Sequence, residues 1–322
     1  MTRSQTATTA ATTHSISFRA MNCAMGAWVV TADAQLAQER LAAVEVFMRA
    51  TEASLSRFRP ESELSRLNAR AGEAVAVSKT LADVLALALD GARATDGLYD
   101  PTILDALEAA GYDRSFETLT DSAQPAAPVA PRRVGWRDIQ LDAAARRVQL
   151  PRGLRVDLGG IAKGWAADQA ATMLARVGPC LVDAGGDIVA RGQPLEWPAW
   201  PVGLADPRAA EGDLALLMVA ERGIATSGTD YRRWRRGEAL QHHIIDPRTR
   251  RPAETDLLSV TVVAPSAARA DLYAKVALIL GSAAGRSLLE GIEDVEGLLI
   301  DEGGEQSMSA GFTRYVYTSG QE

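Results

Sequence analysis

Between Arg155 and Val177 the chain carries Asp157, the pair Gly159-Gly160 and Lys163 within seven residues, followed by a helical run. Residues 155–158 are short and partly β-branched and predict a strand. The glycine pair predicts a turn. Ile161, Ala162, Trp165, Ala166, Ala170, Met173 and Leu174 then fall at helical spacing, and Gly178 and Pro179 stop the run. A helix start of this kind bares backbone N–H groups and points a positive dipole end at whatever sits there, so it suits an anion, and Lys163 adds a full charge in the first turn. The same glycines equally serve a plain strand-to-helix turn that needs small residues. The spacing G-G-x-x-x-G is neither a P-loop nor a dinucleotide-fold fingerprint.

Other stretches carry chemistry more weakly. Arg57-Phe58-Arg59-Pro60 mixes guanidinium and aromatic character, which suits either a planar anionic ligand or a solvated connection. Asp100 before Pro101 and Thr102 forms turns readily, with or without a ligand. The run Tyr231 to Arg236 reads as a basic aromatic loop, fit for an acidic partner or simply solvated. His243 is one of three histidines, too few for a multi-histidine metal site, and on a strand it is either structural or a base near neutrality.

These residues need a scaffold, and composition bounds it. The 322 residues are 47% hydrophobic and 23% charged, ordinary globular material long enough for a large core. A net charge of −7 argues against nucleic acid. Cys23 and Cys180 lack redox or metal spacing and predict no disulfide framework. Residues 1–15, rich in Thr and Ala, lack the apolar core of a secretory signal, and no stretch is long enough for a membrane helix. The expectation is a disordered tail over 1–15, one domain of two lobes over 16–320, no membrane anchor and a cytoplasmic location.

Periodicity predicts one or two strands over 15–31 around Met25-Gly26, an amphipathic helix over 34–54, a short helix after Ser62, and a second long helix over 78–94. A short helix ends near Gly111, and the Pro/Ala-rich 118–133 reads as a flexible loop. Strands are expected within 134–150, on both sides of Gly185-Gly186, at 197–206, 214–220 and 257–264, and at 297–301 and 312–318. Helices are expected from Ser266 to Gly281 and over 282–291. Paired strands interleaved with helices, without a βαβ cadence, give an α+β class with mixed or antiparallel sheets.

Several stretches line up in order: Met25-Gly26, Ser62 to Asn68, Tyr99-Asp100-Pro101-Thr102, Asp157 to Gly164, Gly185-Gly186-Asp187-Ile188, Thr226-Ser227-Gly228 and His243 to Thr249. As a set, over residues 18–318, they resemble the ApbE family, the FAD:protein FMN transferases. The resemblance implies an α+β fold of two related lobes, with mixed and antiparallel sheets flanked by helices and FAD bound between them. It implies transfer of FMN from FAD to a Thr or Ser hydroxyl in the flavinylation motif of an acceptor flavoprotein, with release of AMP and dependence on Mg²⁺. FAD hydrolysis to FMN and AMP, or FAD binding without catalysis, are the alternatives, and a homodimer is compatible with the family. By resemblance, His243 and Asp157 are catalytic. Met25, Phe58, Asp100, Pro101, Thr102, Gly159, Lys163, Trp165 and Ile245 contact FAD, and Ala162, Asp271 and Ala274 hold the metal.

Three positions depart from that pattern. Lys275 stands where the family has Thr or Ser, four residues after Asp271. It is either an ion pair on one helix face, worth about 0.3–0.5 kcal/mol, or an ammonium crowding the metal position. A unit charge about 4 Å from a divalent ion is repelled by roughly 8 kcal/mol at an effective dielectric of about 20. The sharper expectation is that Lys275 acts as a built-in cation replacing part of the metal's charge. Arg250 replaces a family glycine and is strained if its turn keeps a positive φ, and Ala27 replaces a family Thr.

Overall fold

The computed structural model describes residues 10–129, 133–209 and 211–318. Eight strands form the main sheet: β1 (Thr12–Ala20), β2 (Cys23–Thr31), β3 (Cys180–Asp183), β4 (Ile188–Arg191), β5 (Arg222–Gly228), β6 (Leu257–Ala264), β7 (Glu296–Asp301) and β8 (Gln306–Met308). They lie in chain order and every neighbour is antiparallel, so the sheet is a meander whose connections carry the helices. The helices are α1 (Ala34–Leu55), α2 (Glu63–Ala69), α3 (Lys79–Ala94), α4 (Leu104–Ala109), α5 (Ala162–Leu174), α6 (Ala267–Leu280) and α7 (Ser282–Glu290). The class is α+β, as expected.

Adjacent residues in a strand face opposite ways, and the core divides accordingly. Val29, Val182 and Val189 turn toward α1 and α5, and Val262 and Leu299 toward the core around α3 and α6. Val30, Leu181, Ala190, Val263 and Leu298 face the other way, against the hairpin Trp200–Ala205 and Asp213–Val219 and the buried Phe312. The helix starts follow capping chemistry: Asp33, Ser62, Ser78 and Ser266 each accept a backbone N–H from the first turn of α1, α2, α3 and α6.

One contact sets the geometry of everything below. A Cβ on Gly164 would lie 2.7 Å from the Ala268 backbone, so α5 and α6 approach more closely than any side chain permits. Asp168 of α5 completes the joint by accepting the N–H groups of Ala267 and Ala268 at 2.9 and 3.1 Å. The first turns of the two helices are thereby held side by side.

Several expectations need correcting. Residues 155–158 form no strand and belong to no sheet. Their backbone groups are met by a side chain and a loop instead: Asn68 Nδ2 donates to Val156 O (2.9 Å), Val156 N–H to Asn68 Oδ1 (2.8 Å), and Asp157 N–H to Pro101 O (2.7 Å). The first turn falls at Met21-Asn22, both with positive φ, leaving Met25-Gly26 inside β2. β1 begins at Thr12, so 12–15 join the sheet rather than a tail, while 1–9 lie outside the described residues. The last four residues of the basic run are a strand: Arg233–Arg236 pairs with Ala239–His242, because Trp234 is buried and needs a partnered backbone. The segment 118–133 is tied to that hairpin, with Asp121 accepting the Arg235 N–H and Ser122 O the Gly237 N–H, and 130–132 lie outside the described residues. The expected closing strand at 312–318 is a 3-10 turn, Phe312–Tyr315, anchored by Phe312; strand β8 was not foreseen.

Candidate active site

The glycine turn before α5 is organised by Asp157. Its Oδ1 accepts the Gly159 N–H at 2.7 Å and its Oδ2 accepts Arg57 Nε at 2.8 Å. Both oxygens are engaged in a pair whose side chains are only 7% and 10% exposed, so Asp157 holds the turn and Arg57 in place rather than offering a free base. Arg57 Nη2 stays buried with no partner among the described residues, a donor aimed at something else.

Two ammoniums flank the joined starts of α5 and α6. Lys163 Nζ meets Asp187 Oδ2 at 2.6 Å, with side-chain exposures of 17% and 4%. Burial works against the Lys163 charge, but Asp187 and Asp271 outweigh it and the net shift of its pKa is upward. Burial pushes the Asp187 carboxyl up to about 6, against the pull of Lys163. Lys275 Nζ meets Asp271 Oδ1 at 2.7 Å and, reaching across to the glycine turn, Gly160 O at 3.0 Å. It also lies 3.4 Å from Asp271 O.

Beside the turn stands an aromatic wall. Phe58 and Tyr112 have ring centroids 5.7 Å apart, and Tyr112 and Trp234 are separated by 5.4 Å. The Arg57 guanidinium lies 4.1 Å from the Phe58 centroid and 4.6 Å from that of Tyr112. Ile245 packs behind this wall. Thr102 donates through its N–H (2.7 Å) and its Oγ (2.5 Å) to Asp100 Oδ1, and Pro101 O carries the Asp157 N–H, so this turn and the glycine turn brace each other. The Tyr99 hydroxyl is fully buried with no partner among the described residues; burial first, then Asp271, Asp157 and Asp100, holds its proton on far above the ordinary range.

The adjacent histidines have different environments. His242 Nε2 donates to Ala253 O (3.0 Å) and its Nδ1 accepts the Ile244 N–H (3.3 Å), a structural pairing that sets its tautomer. His243 Nδ1 is buried and unpartnered. Burial first, then the charges of Arg232, Lys275 and Lys163, hold the His243 imidazole neutral, well below its usual pKa.

The fold therefore gathers Asp100, Pro101, Thr102, Asp157 and Gly159 with Lys163, Asp271 and His243, and sets Phe58 and Ile245 in the wall. Met25 and Trp165 lie at the α1–α5 side of this group. Met25 is buried among α1 and α5 side chains, and Trp165 packs on Phe47 with centroids 6.0 Å apart. Ala162 opens α5, buried, while Ala274 is fully buried in the middle of α6. Arg57, Tyr99 and Asp187 escaped the candidate set although each sits in a motif stretch, because nothing in a one-dimensional pattern distinguishes a buried charge from a solvated one. Arg250 keeps φ at 57°, the strained turn expected of it. Ala27 is fully buried in β2.

A divalent cation does not fit the residues as they stand. Lys275 already occupies the space between Asp271 Oδ1 and Gly160 O, and among the described residues no three His, Cys, Asp or Glu side chains gather to hold a metal.

Known proteins share this architecture. A curated FAD:protein FMN transferase of Treponema pallidum is 34% identical over 305 residues, covering 87% of this chain and 82% of that protein. One from Salmonella typhimurium is 31% identical, covering 79% and 75%. The crystal structure of the ApbE protein of Thermotoga maritima superposes with a TM-score of 0.82 at 24% identity, covering 95% of this chain and all of that one. The flavin transferase ApbE of Vibrio cholerae superposes at 0.76 with 25% identity, covering 95% and 99%. A family sequence model matches residues 12–299, a span that takes in every site residue from Met25 to Lys275, and on that match the chain belongs to the ApbE family.

Proposed function

We propose that the protein transfers FMN from FAD to a Ser or Thr hydroxyl of an acceptor flavoprotein, releasing AMP. The observation that carries this reading is His243: an imidazole held neutral, its Nδ1 without a partner among the described residues, whose charge surroundings include the Lys275 and Lys163 ammoniums. A neutral imidazole can take the acceptor hydroxyl's proton. The freed oxygen attacks the phosphorus on the riboflavin side of the pyrophosphate. The bond from that phosphorus to the bridging oxygen breaks, and AMP leaves with the bridging oxygen on its phosphate. Charge that builds on the leaving phosphate meets Lys163, Lys275 and the N–H groups at the start of α5.

The remaining residues position. Arg57, held by Asp157, offers a free N–H on Nη2 and lies against the aromatic wall where an isoalloxazine or adenine ring can stack. Asp157 takes the positioning role here in place of a catalytic one. Asp100 and Thr102 shape the opposing turn. Lys275 fills the position expected of Mg²⁺. The free cysteines Cys23 and Cys180 suit a reducing compartment, so the acceptor is sought in the cytoplasm or facing it; no helix among the described residues is long and apolar enough to cross a membrane.

The test is to incubate the protein with FAD and an acceptor carrying a Ser/Thr flavinylation motif, following AMP release and acceptor mass. A gain of one FMN per acceptor is expected. AMP without acceptor labelling replaces the reading with an FAD pyrophosphatase, and bound FAD with neither product replaces it with a flavin-binding protein.

A further inference from the structure

The ammonium of Lys275 sits in a donor set that is unusual for a lysine. It meets one carboxylate oxygen, Asp271 Oδ1 at 2.7 Å, and one backbone carbonyl from a different element, Gly160 O at 3.0 Å, with a second carbonyl, Asp271 O, at 3.4 Å. An all-oxygen environment of one carboxylate and carbonyls is what a hard cation selects. The glycine turn is shaped to admit the side chain: a Cβ on Gly160 would come within 3.2 Å of Lys275 Cε and 3.4 Å of Nζ. The second acid nearby, Asp187, is already taken by Lys163. Two buried donors nearby have no partner among the described residues. They are Tyr99 Oη, beside Asp271, Asp157 and Asp100, and Arg57 Nη2 on the guanidinium held by Asp157. Buried donors left unpaired mark a place where ligand oxygens complete the bonding.

We propose that Lys275 is a resident, tethered cation, and that this chain binds the diphosphate bridge of a dinucleotide without a divalent metal ion. The proposal rests on the flavin reading for the identity of the dinucleotide, FAD, but not on transfer taking place. Two ammoniums, the α5 helix start and the free N–H of Arg57 neutralise the diphosphate between them. Lys275 contributes the charge that a bound ion supplies where this position is a hydroxyl, and it does so at no cost in metal loading. Its place on α6, locked to α5 through Gly164 and Asp168, fixes the ammonium against the glycine turn.

The experiment measures FAD affinity by quenching of flavin fluorescence, in EDTA and in excess Mg²⁺, for the wild type and for Lys275→Met and Lys275→Thr. A companion titration follows Mn²⁺ alone by electron paramagnetic resonance. Wild-type affinity should differ by less than about twofold between the two conditions, with no tight Mn²⁺ site, since a fixed ammonium repels the ion. Lys275→Met should weaken FAD by about tenfold or more in both, the loss of one charge-assisted contact. Lys275→Thr should bind weakly in EDTA, recover in Mg²⁺ and gain a Mn²⁺ site, and circular dichroism of both variants should confirm that they are folded. Wild-type binding that vanishes in EDTA and returns with Mg²⁺ overturns the proposal, as does a folded Lys275→Met that binds like the wild type in EDTA. FAD bound in EDTA without acceptor labelling upholds this proposal while overturning the transferase reading. Absence of FAD binding under both conditions overturns both.

Discussion

Lys163–Asp187 and Lys275–Asp271 are the same chemistry at nearly the same length, 2.6 and 2.7 Å, one at the start of α5 and the other midway along α6, the helix it touches. They are wired differently. Lys163 and Asp187 are 24 residues apart and join α5 to the turn before β4, so their bond is a tie between elements. Lys275 and Asp271 are one helical turn apart on α6, and the pair by itself ties nothing together. What Lys275 adds is the bond to Gly160 O, which brings an ammonium to the backbone that a ligand must approach. The cross-element pair secures the fold while it lends a charge to the site, and the local pair with a third oxygen acceptor serves the site alone.

Breaking each pair in turn tests that contrast. Lys163→Met leaves Asp187 buried without its cation and should cost about 3–5 kcal/mol of stability, read from urea unfolding. Lys275→Met should cost less, about 1–3 kcal/mol, because Asp271 is somewhat more exposed than Asp187, 9% against 4%. Its main effect should fall on FAD affinity. Equal stability losses, with FAD binding spared in Lys275→Met, would erase the distinction.

His243 feels the charge of both ammoniums and sharpens the comparison through pH. Its folded pKa is depressed by burial and then by Arg232, Lys275 and Lys163. The stability tied to its neutral form is thus present above the unfolded value near 6.5 and is lost as pH falls toward the folded value. Between pH 6.5 and 5.5 this amounts to about 1.4 kcal/mol at most, the limit for one proton over one pH unit. Thermal melts of His243→Phe should lack that acid-side slope, and FMN transfer by the wild type should stay flat through pH 6.5, since the base remains unprotonated there. A transfer rate that halves at pH 6.5 points to a histidine of ordinary pKa. The smallest effect is expected away from both pairs: Arg250→Gly relieves a positive φ of 57° and should add about 1 kcal/mol of stability in the same urea experiment, with FAD affinity unmoved.

Much of the frame was legible in the chain itself. Ser62, Ser78 and Ser266 announce helix starts because a hydroxyl that accepts an N–H is a local event within four residues. Gly185-Gly186 announces the turn between β3 and β4 through its positive φ values for the same reason. The order of motifs from Met25 to Thr249 was enough for the family. Residues 155–158 misled, because their β-branched pattern cannot reveal that Asn68, far away in sequence, satisfies the backbone in place of a neighbouring strand. The run 312–318 misled likewise, since Phe312 and Tyr315 are buried three residues apart, the spacing of a tight helical turn rather than of an alternating face.

The sequence by itself determined the α+β class, the helix boundaries, the glycine turn and the presence of Lys275 four residues after Asp271. All of these are written in local spacing and in the types of adjacent residues. Only the tertiary structure decided which charges lose their water and whom they meet. It chose His243 over His242 as the unpartnered imidazole, made Asp157 a brace for Arg57, and set the Lys275 ammonium on Gly160 O. The physical reason is that burial and partner choice arise from contacts between residues far apart in the chain, 115 positions in the case of Lys275 and Gly160, and desolvation, which decides whether a charge is inert or poised, exists only once those contacts have closed.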